Sequence, residues 1–533
     1  MLPIFLLSGP ISVGKSALVK EFELRFGAMK VSTRQLLLRQ DPSGERDTLI
    51  KLGLELDETT AGKWVLDSFL TLAGKDLDTE IWLIDAVRTQ DQIRHIRERF
   101  GDRVVHVHLS VPIGVLRQRY LDRPPELQEF ANYDEAKQHG TEKNIEDLAS
   151  IADRKLDANI NGPASLLALA AGGLNLFPQR DDRLVDVLVG AQYGSEGKGN
   201  ICAHIAKEYQ VLVRVGGPNA GHKVAHPKYD YIQLPSGTQS NPEAKILIAA
   251  GATLSVKQVL KEIADLGLTG DRLSIDPQAI IIEDNDVAVE MGSLEIIGST
   301  KKGVGVATAR KILGRGDQIH FEAPVRLAKH IPEFRDFLRC TKVELEKAYA
   351  RGDRVLLEGT QGTDLSIHHG VYPYVTSRET TASGCLADAG IPPTRVRRVI
   401  MVMRTYPIRV GGTSGPMMKQ IDFQTIADRS GMPVSALERI EKGTVSGKTR
   451  RIGEFDWEQA RRSAVLNGAT DIALTFADYI DASNKDAMEF DMLSVRTKAF
   501  VAEIERVANA RVSWITKDFG PDAVVIDRRK GAV

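Results

Sequence analysis

The chain has 533 residues, 42% of them hydrophobic and 26% charged, with 70 basic residues against 71 acidic ones. That length exceeds one ordinary core and predicts two or three domains, while the charge balance excludes a general attraction to nucleic acid or to an anionic membrane. Any anionic ligand must therefore be held by a local arrangement of groups.

The first apolar run, Ile4 to Leu7, lacks the basic start and small-residue cleavage site of a secretory leader and reads as a buried strand. It runs into Gly9-Pro10-Ile11-Ser12-Val13-Gly14-Lys15-Ser16, a P-loop followed by a predicted helix over Lys15 to Phe26. Gly9 and Gly14 let backbone N–H groups face phosphate oxygens, Lys15 reaches the outer phosphates, and Ser16 is placed to ligate magnesium. Two further apolar runs, Ile81–Ile84 and Val104–Leu109, flank a charged helix-period segment over Gln92–Phe100. Strands alternating with helices predict a parallel sheet covered on both faces. Asp85 is either a magnesium-side carboxylate or the cap of the following helix, and Arg117, Arg119 and Arg123 are either a phosphate-clamping lid or a solvated face. This part loosely resembles the nucleoside-monophosphate kinases, which implies a nucleotide kinase-like domain over residues 1–160 whose phosphate acceptor is not legible.

A stretch rich in Gly, Ala, Pro and Leu over residues 161–183 is the expected linker. Val185 to Val189 begins a new strand, and Gly190-Ala191-Gln192-Tyr193-Gly194-Ser195-Glu196-Gly197-Lys198-Gly199 leads from it into a helix. Glycines for close backbone approach, one lysine for charge and a helix start make a second phosphate cradle, with a spacing unlike a P-loop. Later apolar runs, among them Val355–Leu357 and Val399–Met403, continue the α/β pattern. Cys202, Cys340 and Cys385 are far apart and show no CxxC spacing, which excludes a disulfide framework and a cysteine zinc site. No apolar run approaches the roughly 18 to 20 residues of a membrane-spanning helix, so the expected compartment is the cytoplasm.

The second cradle resembles the GxxxGDEGKG opening of adenylosuccinate synthetases. Further segments follow in register: Gly217-Pro218-Asn219-Ala220-Gly221-His222, Ser299 to Gly305, Glu358-Gly359-Thr360-Gln361-Gly362-Thr363, Tyr372 to Ser377, and Ser446 to Arg451. The resemblance covers residues 184–533 and implies two parallel-sheet α/β domains in the chain, a P-loop kinase-like one and a synthetase-like one. It also implies a ligase that joins L-aspartate to C6 of a 6-oxopurine nucleotide. A 6-oxopurine carbonyl is a poor electrophile, so a base removes the N1 proton, the 6-oxygen takes the terminal phosphate of GTP or ATP, and the amine displaces phosphate. By the same resemblance His222 supports the 6-oxygen, Lys198 neutralises the transferring phosphate and Gln361 stands beside them. Gly194, Glu196, Gly197, Gly199, Arg450 and Asp478 bind the triphosphate; the Gly221 carbonyl holds Mg2+; Asn219, Thr300, Gln361 and Thr376 line the monophosphate. Val445, Ser446, Gly447, Lys448 and Arg450 form the loop that receives aspartate, where two cations suit two carboxylates. A homodimer with an arginine donated across it is implied, with Arg315 or Arg310 in that part; nucleic acid and membrane partners are not.

Four departures shape the expectation. The aspartate base of the family is Ser195 here, and an unassisted hydroxyl does not take a proton near neutral pH as a carboxylate does. Ser195 and Pro218 resemble the phage and archaeal enzymes that make 2-aminoadenylosuccinate nucleotides from GMP or dGMP, so the acceptor is a guanine nucleotide or IMP. Thr475-Phe476-Ala477-Asp478 keeps the guanine-reading aspartate of a TKxD segment and replaces its lysine, which opens the donor to ATP or dATP. Gly520-Pro521-Asp522 is a short remnant of the terminal nucleotide loop. The alternatives are a nucleotide-sensing protein that binds without turnover and a kinase carrying a ligase-like scaffold.

Overall fold

The computed structural model describes all residues except 1, 43–45, 125–127, 129, 139–141, 175, 177–181, 294–296, 317–322, 442–448, 519–524 and 532–533. It divides into two compact units, Met1–Gln179 and Arg180–Val533.

In the first unit five strands, β1 (Ile4–Ser8), β2 (Met29–Ser32), β3 (Trp82–Asp85), β4 (Val104–Ser110) and β5 (Arg154–Asp157), form one sheet in the order β2-β3-β1-β4-β5. All its pairings are parallel. β1 is buried along its whole length because both faces are covered. Phe5 and Leu7 point into a core with Val13, Leu18 and Phe22, while Ile4 and Leu6 point into another with Trp64, Phe69 and Ile93. This two-residue alternation is what a central strand imposes. The P-loop joins the end of β1 to α1 (Lys15–Phe26), as the sequence predicts.

The expected linker is not all linker. Residues Pro163–Ala171 form a helix, α2, whose Leu166, Leu167, Ala170 and Ala171 are buried in the same core as Phe22. The composition pointed to a linker, but the Leu166, Leu167 and Ala170 spacing is that of one apolar helix stripe, and Pro163 sits at the helix start where its missing N–H costs nothing.

The second unit is built on a nine-stranded sheet. Its strands in chain order are β6 (Val185–Gly190), β7 (Val211–Arg214), β8 (Lys245–Ile248), β9 (Leu273–Ile275), β10 (Val355–Glu358), β11 (Val396–Arg404), β12 (Asp471–Thr475), β13 (Arg511–Thr516) and β14 (Val525–Asp527). They lie in the order β9-β8-β7-β10-β6-β11-β12-β13-β14, with only the last pairing antiparallel. β6 is central, and Val187 and Val189 enter one core while Leu188 enters the other. The glycine-rich loop therefore leaves the sheet in its middle and runs into α3 (Lys198–Ile205). Ligands of open parallel sheets gather at this carboxyl edge. Among the described residues no helix is long and apolar enough to cross a membrane.

Candidate active site

The loop between β6 and α3 is organised from inside by Glu196. One carboxylate oxygen accepts from the backbone N–H groups of Gln192 (2.9 Å) and Gly194 (2.8 Å), and the other from the Lys198 ammonium (2.7 Å). Lys198 also donates to the Gly194 carbonyl at 3.2 Å, and both charged side chains are 1% exposed. Glu196 thus spends its oxygens on the loop itself. Gly194 and Gly197 have φ of 95° and 89°, a left-handed backbone that glycine adopts without strain. At Gly190 a Cβ would come within 2.6 Å of the Gln361 carbonyl and 2.8 Å of the Lys198 nitrogen, so that position tolerates no side chain. A Cβ on Gly199 would meet the Cβ of His222 at 3.1 Å. The loop therefore abuts both Gln361 and His222.

His222 opens a short hairpin, His222–Val224 with Tyr229–Tyr231. Its Nδ1 lies 2.5 Å from a carboxylate oxygen of Glu358. Glu358 ends β10, where the parallel register places it opposite Arg214 at the end of β7. Arg214 contacts the same carboxylate at 2.9 Å, and Ser236 donates to it from its backbone N–H (2.7 Å) and its hydroxyl (2.5 Å). Burial and the Arg214 cation pull the His222 imidazole down to a pKa of about 4, which leaves the ring neutral at pH 7. Burial opposes ionisation of Glu358, but Arg214, His222 and Ser236 overcome it and hold its carboxyl well below the usual carboxylate range. The other ring nitrogen of His222, Nε2, is buried and has no hydrogen-bond partner. The residues of this cluster other than His222 escaped the sequence reading. Glu358 lay within a recognised segment and Arg214 is a charge closing an apolar run, but Ser236 carries no local signal.

Asn219 donates to the Thr376 hydroxyl at 3.3 Å, and its side-chain oxygen is buried without a partner. Gln361 is held at φ 59°; its side-chain oxygen accepts from Thr360, which in turn accepts from Arg378, and its amide nitrogen is buried and unpartnered. Unpaired buried polar atoms on Asn219, His222 and Gln361 are a costly arrangement unless a ligand completes it. Thr300 is half-buried in the coil before the helix Val304–Leu313. Arg315 is exposed beyond that helix, its side chain donating to the Ile312 carbonyl. Arg310 is excluded as an arginine that reaches another subunit, because it is 1% exposed and forms a two-point ion pair with Asp286 (3.0 and 2.6 Å).

At the other end of the loop Arg404 donates to the Ser195 carbonyl at 3.4 Å. Its guanidinium lies 3.6 Å from the centre of the Phe476 ring and pairs with buried Glu441, which also holds Arg450 (3.3 Å) and the Tyr479 hydroxyl (2.6 Å). Asp478 is buried with one unpartnered oxygen; burial, then the neighbouring Asp518, pushes its carboxyl up to about 7. Val445, Ser446, Gly447 and Lys448, and the Gly520-Pro521-Asp522 remnant, lie outside the described residues.

In the first unit, Lys15 donates to the Gly9 (2.5 Å) and Pro10 (3.0 Å) carbonyls. Burial, followed by Arg88 and Arg123 and against Asp85, lowers its pKa to about 7. Asp85 is not the helix cap: Thr89 caps Gln90–Phe100, and Asp85 keeps a buried, unpartnered oxygen beside the P-loop. Of the three arginines, Arg117 is in an exposed ion pair with Asp134, Arg119 is anchored on the Val13 and Ala158 carbonyls, and Arg123 keeps a buried unpartnered nitrogen. Lys15, Ser16, Asp85, Arg88 and Arg123 line a cavity of about 660 Å³ that is walled on another side by Leu37, Leu49 and Trp64.

The chain matches the family model described as adenylosuccinate synthetase over residues 187–330 and 319–485. Adenylosuccinate synthetases from Archaeoglobus fulgidus and Methanocaldococcus jannaschii are 37% and 38% identical to it over 353 and 346 residues. These alignments span 64% and 63% of this chain and 98% and 94% of the relatives. A solved cyanophage S-2L succinoaminodeoxyadenylate synthetase, bound to dGMP and to dATP as an energy donor, is 27% identical with a TM-score of 0.53, covering 65% of this chain and 95% of that one. The Plasmodium falciparum adenylosuccinate synthetase shares the fold at 22% identity and a TM-score of 0.57, over 65% of this chain and all of that one. The ordered loop, the buried histidine behind it and these likenesses converge: the chain belongs to the adenylosuccinate synthetase family.

Proposed function

We propose that the second unit, a ligase of the adenylosuccinate synthetase type, joins L-aspartate to C6 of a guanine nucleotide, GMP or dGMP, and that the first unit is a nucleotide kinase. The observation that carries the acceptor is Ser195, a small hydroxyl where the family has a carboxylate, in a chain similar to an enzyme whose solved form holds dGMP. A smaller side chain beside the purine edge leaves space for a 2-amino group.

In this reading Lys198 neutralises charge on the phosphate being transferred, Gly194, Gly197 and Gly199 give it backbone approach, and the unpartnered polar atoms of Asn219 and Gln361 meet the monophosphate with Thr376 and Thr300. Arg450 joins the aspartate loop and Asp478 faces the donor base, where Phe476 in place of a lysine favours ATP or dATP beside GTP. Among the described residues no cluster of three or more His, Cys, Asp or Glu side chains is built for a metal. That fits magnesium, which takes few protein ligands and relies on phosphates and water: the Gly221 carbonyl would hold it here, and Ser16 with Asp85 in the first unit. Bound there, the ion would offset negative charge on the phosphate oxygens. The active form is a homodimer in which exposed Arg315 reaches the other subunit.

A mass-spectrometric screen of IMP, GMP, dGMP and XMP, each with aspartate and either ATP or GTP, tests this. An aspartyl mass gain on GMP or dGMP is expected; gain on IMP alone overturns the acceptor. Ser195 also favours a second reading, a nucleotide sensor, which requires tight monophosphate binding with no product from any purine.

A further inference from the structure

We infer that the first unit takes a guanine nucleoside monophosphate as its phosphate acceptor, and that Asp57 reads the guanine edge within the P-loop cavity. The inference rests on the kinase reading of that unit and deepens it by naming the acceptor.

The cavity of about 660 Å³ that holds Lys15 and Ser16 is lined by two kinds of group. One is cationic: Arg34, Arg88 and Arg123, of which Arg88 pairs with Glu142 and Arg123 keeps a buried nitrogen without a partner. The other is apolar: Leu37, Leu49, Leu54 and the ring of Trp64. Phosphate needs only the first. An apolar wall suits a flat aromatic base and gives nothing to a polyol or a small hydroxy acid. Leu49, Gly53 and Asp57 stand four residues apart in the helix Arg46–Thr60, a spacing that puts them on one face, and all three line the cavity. Glycine is unfavourable inside a helix, and packing within the protein does not demand it here, since a Cβ at Gly53 would meet a Leu37 methyl at 3.4 Å, an ordinary contact. The bare backbone leaves room for a ring laid against the helix.

The Trp64 indole N–H (2.7 Å) and the Gln92 side-chain amide (2.8 Å) both donate to one carboxylate oxygen of Asp57. Gln92 is 1% exposed and its amide oxygen accepts from the Arg88 backbone N–H at 2.8 Å, so that amide is fixed at both ends. Among the described residues the second oxygen of Asp57 accepts no hydrogen bond. A charged carboxylate only accepts. Guanine is the base that presents two adjacent donors, N1–H and the 2-amino group, on its pairing edge. Adenine and cytosine place a ring-nitrogen lone pair beside their amine, and uracil and thymine flank their one N–H with carbonyls, so each sets a lone pair against the carboxylate.

The step balances. An ionised phosphate oxygen of the monophosphate bonds to the terminal phosphorus of ATP; the bond from that phosphorus to the bridging oxygen breaks, and its electron pair leaves on ADP. The products are a guanine nucleoside diphosphate and ADP, and the protein removes no proton. Asp57 touches only the base and sets specificity.

The test uses the full chain with magnesium and ATP, without aspartate so that no aspartyl product forms, and GMP, dGMP, AMP, CMP or dTMP as acceptor, followed as nucleoside diphosphate. Transfer to none of them overturns the kinase reading itself. Given transfer, kcat/KM for GMP or dGMP is expected to exceed that for the other three by about tenfold or more, and a smaller margin overturns the inference. Asp57→Asn keeps one oxygen for Trp64 and Gln92 and turns the other into a donor. It is expected to lower the ratio of kcat/KM for GMP to that for AMP by about 30-fold or more, with KM for ATP held within about twofold. A smaller change in the ratio, as when all acceptors fall alike through a merely structural role, overturns the assignment. Should Asp57→Asn not fold, 1-methyl-GMP, which lacks the N1–H, decides with the wild type: kcat/KM about 100-fold or more below that for GMP supports the reading, and a smaller difference overturns it.

Discussion

The Lys198 ammonium is held 2.7 Å from the carboxylate of Glu196, two residues before it, and both groups are almost wholly buried. Removing one partner of such a pair leaves an uncompensated charge, and three of the loop's hydrogen bonds depend on the same carboxylate. Glu196→Gln is expected to destabilise the second unit by about 3 kcal/mol and to abolish ligase turnover. Urea unfolding read alongside product formation checks this; a variant as stable and active as the wild type contradicts it.

Asp478 gives stability a pH dependence of unusual sign for an aspartate. Its folded pKa of about 7 lies above the ordinary value near 4, so the folded state favours the protonated carboxyl. That contribution is complete below pH 4 and is lost as pH rises through about 7. Asp478→Asn, which keeps the shape without the charge, is expected to raise the melting temperature by a few degrees at pH 8 and to leave it nearly unchanged at pH 4. Thermal melts at the two pH values decide it; equal shifts at both rule out the carboxylate as the cause.

Phe476 stacks on Arg404, which also donates to the Ser195 carbonyl and pairs with Glu441, so the donor-base region and the cradle share one guanidinium. Phe476→Lys removes the ring, restores the usual family residue and places a second cation beside Arg404. The ratio of kcat/KM for GTP to that for ATP is expected to rise about fivefold or more, a change of roughly 1 kcal/mol in relative transition-state stabilisation. An unchanged ratio separates Phe476 from donor choice.

Lys15 belongs to the other unit. Lys15→Ala is expected to reduce phosphoryl transfer from ATP to a nucleoside monophosphate by about 1,000-fold while aspartyl product formation stays within about twofold. Parallel assays of both products on one preparation check it. Loss of both together would tie the two activities to one centre.

Much of this molecule is legible in its amino-acid sequence. A glycine-rich loop after a short apolar run says where phosphate goes, because the strand, the tight turn and the helix start are all local in the chain, and Ser195 lies openly within such a loop. The same locality placed β1 and β6, whose continuous apolar runs mark strands covered on both faces. It failed at Pro163–Ala171, where a small-residue composition hid a helix stripe, and it left Asp85 open between a magnesium-side carboxylate and a helix cap, an alternative closed by the side chain of Thr89, which is the cap.

By itself, then, the sequence determined the two phosphate cradles, the family and the missing loop carboxylate. Only the tertiary structure decided what stands behind His222. Glu358 is 136 positions away and Ser236 reaches the same carboxylate from 122 positions away, while Arg214 meets it because two parallel strands share a register. Such contacts depend on strand order and register, which no local pattern encodes, and burial then turns them into chemistry: it lowers the histidine's pKa, keeps the glutamate charged, and leaves one ring nitrogen without a partner.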